Sequence, residues 1–172
     1  MKKNKIFLVG PRGSGKSTIG KLLSKRLNLD FIDSDELIEK EYKTTISDIV
    51  NEKGWSFFRK IEKETLFKIC NISHPLVVAT GGGIVLDKEN RELLKKSGLV
   101  FYIKVPVPVL VERLKKDKDM SSRPPLTDLS LEKEVEKVLE EREPLYESVS
   151  DYTIDGDRDI DEVVEEIKWQ LV

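Results

Sequence analysis

The chain has 172 residues, a length that predicts one domain spanning residues 1–172. Hydrophobic residues make up 38% and charged residues 36%, which is apolar enough to fold and excludes global disorder. Lys plus Arg is 30 and Asp plus Glu is 32, so the net charge of −2 offers no basic footprint for nucleic acid. Cys70 is the single cysteine, which rules out an intramolecular disulfide and a cysteine-based zinc site. No apolar run approaches the ~18 residues of a membrane span. The N-terminal run Ile6–Val9 is shorter than the ~7-residue core of a signal peptide and is closed by Gly10-Pro11. A cytoplasmic protein without nucleic-acid or membrane partners is expected.

Short apolar runs alternate with longer amphipathic stretches. Ile6–Val9 reads as a buried strand, followed by a helix over Gly15–Leu27 with Ile19, Leu22, Leu23 and Leu27 on one face. Phe31-Ile32 is a second strand, and Ser34–Tyr42 a helix capped by Ser34 or Asp33. Ser47–Lys53 reads as a short helix ending at Gly54, and Trp55–Cys70 as a long one. Leu76–Ala79 is a third strand. Asp87–Lys96 is a helix with Asp87 as N-cap, and Leu99–Ile103 a fourth strand. A helix over Val107–Leu114 leads into Lys116–Asp128, polar and proline-containing, which reads as a mobile loop. Leu131–Arg142 is a helix stopped before Pro144, Tyr152–Ile154 a fifth strand, and Ile160–Leu171 a closing helix. Apolar strands alternating with helices predict an α/β protein, a parallel sheet between helical layers. Ligands gather at the carboxyl ends of such strands. Those ends carry Gly10–Ser17, Asp33–Asp35 and Gly81–Gly83.

Gly10-Pro11-Arg12-Gly13-Ser14-Gly15-Lys16-Ser17 fits G-x-x-x-x-G-K-[ST] at every fixed position. The glycines let successive N–H groups turn inward toward phosphate oxygens, and the helix that follows adds its positive end. Lys16 is placed to reach the β- and γ-phosphates and Ser17 to ligate Mg²⁺. The third strand ends in Thr80-Gly81-Gly82-Gly83 and offers no carboxylate for the metal shell. Asp33 and Asp35 supply it, one facing the metal and the other an acceptor hydroxyl; capping of the next helix is the competing role for Asp33. Three consecutive glycines point to close approach of a ligand, against the alternative of a tight turn. Arg59, Arg123 and Arg142 are candidate forks for a carboxylate or phosphate, Arg123 in a loop that could close over the γ-phosphate. Trp55, Phe57 and Phe58 fit either the core or the wall of an acceptor site. His74 is read as a surface residue and Cys70 as a small buried hydrophobe.

The chain resembles the shikimate kinases from Ile6 to about Tyr152. The likeness rests on Gly10–Gly20, Phe31-Ile32-Asp33-Ser34-Asp35, Phe58-Arg59-Lys60-Ile61-Glu62 and Ala79-Thr80-Gly81-Gly82-Gly83. It extends to Arg123-Pro124-Pro125-Leu126 and Arg142-Glu143-Pro144-Leu145-Tyr146. The resemblance implies a three-layer P-loop fold: a five-stranded parallel sheet flanked by helices, a mobile lid over about 116–128 and a helical substrate-binding region. It implies transfer of a phosphoryl group from ATP to the 3-hydroxyl of shikimate, with Mg²⁺ as cofactor. A monomer is expected. Gly13, Ser14, Gly15, Lys16, Ser17 and Thr18 would bind ATP, and Arg123 would contact it from the lid. Ser17 and Asp33 would hold the metal. Asp35 would orient or deprotonate the hydroxyl, with Lys16 and Arg123 as its catalytic partners. Arg59 and Arg142 would hold the shikimate carboxylate, and Gly81, Gly82 and Gly83 would complete the ring site. The lid departs from the more usual Arg-Pro-Leu-Leu, and Asp155–Asp159 matches the family's adenine segment poorly, so no adenine contact is assigned. Two other readings compete: a related kinase acting on gluconate or a nucleotide, and a non-catalytic nucleotide-binding module.

Overall fold

A computed structural model describes residues 3–117 and 129–172. Five strands, β1 (Lys5–Val9), β2 (Asp30–Asp33), β3 (Leu76–Ala79), β4 (Gly98–Lys104) and β5 (Tyr152–Asp155), form one parallel sheet in the order β2-β3-β1-β4-β5. Phe7, Leu8 and Val9 of the central strand are fully buried, as a strand covered on both faces requires. Among the described residues the α-helices are α1 (Lys16–Leu27), α2 (Ser34–Tyr42), α3 (Ile46–Cys70), α4 (Lys88–Ser97), α5 (Val107–Lys116), α6 (Leu131–Val149) and α7 (Ile160–Gln170). α1 and α7 pack together on one side of the sheet, and α3, α4 and α6 on the other. The predicted α/β architecture therefore stands.

The stretches on either side of Gly54 are two helical segments of α3, as expected, separated where Gly54 adopts the non-helical φ 83° and ψ 167°. That positive φ suits glycine and interrupts the helical path between them. One expectation needs correction. The predicted stop before Pro144 does not occur, for α6 runs on to Val149. Pro144 and Glu140, whose carbonyl loses its helical donor, both lie in exposed residues, where water can substitute. Tyr146 and Val149, buried one turn further on, hold the continuing helix to the core. Other boundaries move by one or two residues, as frayed ends do.

Most buried apolar side chains form one cluster around the sheet. A second, smaller cluster joins Ile38 of α2 to Ile46, Ile49, Val50, Phe58 and Ile61 of α3. This separate core gives α2 and α3 their own packing beside the carboxyl end of the sheet. It is the helical region that the sequence led us to expect. His74 is exposed and Cys70 buried, as read from the sequence.

Candidate active site

Strand order sets the site. β2, β3 and β1 are adjacent, so Asp33, the glycine turn after Thr80 and the loop after Val9 emerge side by side. Thr80 ties two of them together: its N–H and its hydroxyl both donate to Leu8 O, at 3.1 and 3.0 Å. The loop Gly10–Gly15 curls through positive φ at Gly10, Gly13 and Gly15 and delivers Lys16 and Ser17 into the first turn of α1. The Lys16 ammonium is buried against the loop itself and donates to Gly10 O at 2.7 Å and Pro11 O at 2.8 Å.

Asp33 does two jobs at once. Its Oδ1 accepts from the N–H groups of Asp35 (2.9 Å) and Glu36 (3.1 Å), capping α2. Its Oδ2 accepts from the Ser17 hydroxyl. The cap and the metal-side role, set against each other in the sequence, are both open to one carboxylate. Among the described residues no group of three or more His, Cys, Asp or Glu side chains could cage a metal. A lone Ser–Asp pair beside a phosphate loop suits Mg²⁺, which keeps waters and leans on substrate phosphates.

Beside the phosphate cleft lies a second cleft, lined by Trp55, Phe58, Arg59, Glu62, Gly83 and Arg142 among others. Arg12, Asp35, Gly81 and Gly82 line both clefts and so mark the boundary between them. Arg59 donates to Glu62 Oε1 at 2.9 Å. Its guanidinium lies 5.2 Å from the Trp55 ring and 5.4 Å from that of Phe58. Trp55 and Phe58 thus wall the cleft, and Phe58 also belongs to the smaller core. Glu62 is the strongest electrostatic feature. Burial, opposed by Arg59 and reinforced by nearby Asp35, raises its carboxyl to about 7. Its Oε2 is buried with no hydrogen-bond partner among the described residues.

Gly81 and Gly83 are crowded by the protein itself. A Cβ on Gly81 would stand 2.7 Å from Asp35 Oδ1 and 2.9 Å from Glu62 Oε2. One on Gly83 would stand 2.2 Å from Arg59 Nη1. Asp35, Glu62 and Arg59 therefore converge on the turn, and a side chain at Gly81 or Gly83 would have to displace them.

Of the residues singled out in the sequence, Gly13, Gly15 to Thr18, Asp33, Asp35, Arg59, Gly81 to Gly83 and Arg142 line these two clefts, and Ser14 lines a third beside them. Arg123 and positions 118–128 of the expected lid lie outside the described residues. Sequence reasoning gave no role to Arg12, Glu62, Arg113 or Tyr146. Glu62 stood in the quoted Phe58–Glu62 motif, but its proximity to Asp35 is a long-range fact. Arg113 donates to Gly13 O at 3.2 Å and Gly156 O at 3.0 Å, closing this third cleft, which runs from the phosphate loop toward Arg158.

An acceptor cleft with two guanidinium groups, opening beside a phosphate loop, is the arrangement of a P-loop kinase that phosphorylates a small molecule. Known proteins narrow this class. The family model described as shikimate kinase matches residues 12–171. A relative named shikimate kinase 2, from Escherichia fergusonii, is 40% identical over 166 residues, covering 96% of this chain and 91% of the relative. A solved shikimate kinase from Acinetobacter baumannii, in complex with shikimate, superposes with a TM-score of 0.91 at 34% identity, covering 99% of this chain and 93% of that one. A deoxyadenosine kinase from M. mycoides, at 20% identity and a TM-score of 0.63 over 97% of this chain and 98% of that one, shares the fold alone. The chain belongs to the shikimate kinase family.

Proposed function

We propose that this enzyme transfers the γ-phosphoryl group of ATP to the 3-hydroxyl of shikimate, with the residues of the two clefts in the following roles. The observation that carries the reading is the shared boundary: Asp35 lies between the phosphate cleft and the cleft holding Arg59 and Arg142. An alcohol that also bears a carboxylate fits such a place, its hydroxyl at Asp35 and its carboxylate between the arginines. Asp35 orients the hydroxyl and takes its proton as the oxygen attacks the γ-phosphorus. The bond from that phosphorus to the bridging oxygen breaks, and ADP leaves. Lys16 exchanges its loop carbonyls for phosphate oxygens, and Gly13, Ser14, Gly15 and Thr18 hold the phosphates through the loop and the start of α1. Ser17 and Asp33 hold Mg²⁺, which supplies charge neutralisation across the phosphates. Arg12, at the boundary, stabilises the transferring group. The cleft between Arg113 and Arg158 takes the base of the nucleotide. Arg123 acts from a lid over about 116–128. A single domain, 1–172, working as a monomer in the cytoplasm, completes the proposal.

The test is a coupled ADP-release assay with MgATP and a panel of shikimate, gluconate and nucleoside monophosphates. Release specific to shikimate is expected. Release with another acceptor only would discard the roles of Arg59 and Arg142 while leaving the phosphate chemistry in place. ATP binding without release to any acceptor would favour the non-catalytic module.

A further inference from the structure

The glycine turn is held in two different ways. Gly81 O accepts from the Ile84 N–H at 3.2 Å, and Gly83 O from the Leu86 N–H at 3.1 Å. Both bonds belong to the short 3₁₀ turn Ile84–Leu86 that the segment itself forms. The Gly81 N–H donates to the Ser34 hydroxyl at 3.1 Å. The carbonyl between them, Gly82 O, is instead held from outside the segment, by the Tyr146 hydroxyl at 2.6 Å.

That bond controls more than one oxygen. A trans peptide is planar, so fixing the Gly82 carbonyl fixes the Gly83 N–H in the opposite direction. Glycine on both sides of the peptide leaves it little steric resistance to rotation. Gly82 and Gly83 both line the cleft that contains Arg59 and Arg142. The flanking bonds hold the ends of the turn, and the Tyr146 hydroxyl holds its middle.

Tyr146 is itself well held. It is fully buried, and its ring stacks on that of Tyr102, with centroids 5.1 Å apart and planes 24° apart. The Tyr102 hydroxyl donates to Glu143 Oε1 at 3.2 Å, and Lys104 donates to the same oxygen at 2.9 Å. Tyr146 also lies four residues after Arg142, one turn along the same face of α6. A single helix thus presents a guanidinium to the acceptor cleft and a phenol to the turn beside it. Burial, partly opposed by Arg142, raises the phenol to about 12, so it remains a proton donor at neutral pH.

We propose that Tyr146 is a positioning residue for the acceptor: its hydroxyl locks the Gly82–Gly83 peptide in the orientation that presents the turn to shikimate. It touches no reacting atom. The proposal rests on shikimate being the acceptor bound in this cleft.

Tyr146→Phe tests it, because phenylalanine keeps the buried ring and the stack on Tyr102 and removes only the hydroxyl. Steady-state kinetics with shikimate and ATP varied separately, together with thermal unfolding, give the readouts. Shikimate KM should rise roughly 2- to 13-fold, the range that loss of one hydrogen bond carries, while ATP KM stays unchanged. Tyr102→Phe is the companion variant; it cuts the hydroxyl bond to Glu143, keeps the stack, and should leave shikimate KM at the wild-type value. An unchanged shikimate KM in Tyr146→Phe would overturn the proposal. So would an equal rise in both KM values, or the same kinetic change in both variants, since each would mark a general packing effect. If the wild-type enzyme itself shows no turnover of shikimate, the functional reading fails before the role of Tyr146 is tested.

Discussion

Glu62→Gln turns the charge at the acceptor cleft into a measurement of stability. The Glu62 side chain is 2% exposed, and its carboxyl is raised from an ordinary 4.5 to about 7, mainly by burial. Below pH 4.5 the group is protonated whether the chain is folded or not, and costs nothing. Between 4.5 and 7 the unfolded chain gives up this proton while the folded one keeps it. The folded state then binds more protons, so stability falls as pH rises. Above 7 the loss levels off at about 3 kcal/mol. Glutamine is nearly isosteric and does not titrate, so it removes this pH dependence while also losing the charge paired with Arg59 at 2.9 Å. Urea unfolding of both proteins at pH 5 and pH 8 is the assay. The stability of Glu62→Gln relative to wild type should move in the variant's favour by about 2–3 kcal/mol between the two pH values. Parallel pH profiles would refute the reasoning, because they would mean that Glu62 is already ionised in the folded protein at pH 5 or is solvated there.

Three further outcomes are expected. Lys16→Ala should reduce ADP release by at least ~10²–10³-fold, the loss typical of removing one donor to transferring charge, with the folded protein preserved by circular dichroism. Asp35→Asn should lower kcat by ~10²–10⁴-fold with little change in ATP affinity, as measured by calorimetry; an equal loss of ATP affinity would contradict its place on the acceptor side. Gly83→Ala puts a methyl 2.2 Å from Arg59 Nη1, the far end of a flexible side chain. The guanidinium should swing aside, raising shikimate KM about tenfold or more while thermal stability changes little.

The phosphate loop was legible because its chemistry is local: glycines at fixed positions, then Lys16 and Ser17 entering a helix. The strands and their alternation with helices were legible for the same reason, and so was the interruption at Gly54. What escaped depended on distant partners. Pro144 reads as a stop until Tyr146 and Val149 are seen buried beyond it. Glu62 is one acidic residue on a charged helix until the fold sets it beside Asp35 and Gly81. The triple glycine suggested an incoming ligand; what the sequence did not show is that side chains arriving from α2 and α3 also crowd Gly81 and Gly83. Tyr146 stood in a motif of the resemblance but with no role, since its partner Gly82 lies 64 residues away.

Asp33 has a consequence for how this family can vary. One oxygen begins α2 and the other meets Ser17, so a helix terminus and a phosphate-side contact share a single carboxylate. Neither can drift without disturbing the other. Asparagine would keep the cap and surrender the charge; serine would keep a shorter cap and lose the reach to Ser17. Because Asp35 stands only two residues further on, any change that loosens the start of α2 also shifts the group proposed to meet the acceptor hydroxyl. Donor and acceptor halves are thereby joined at one position of the chain, and substitutions there should be purged for two unrelated reasons at once.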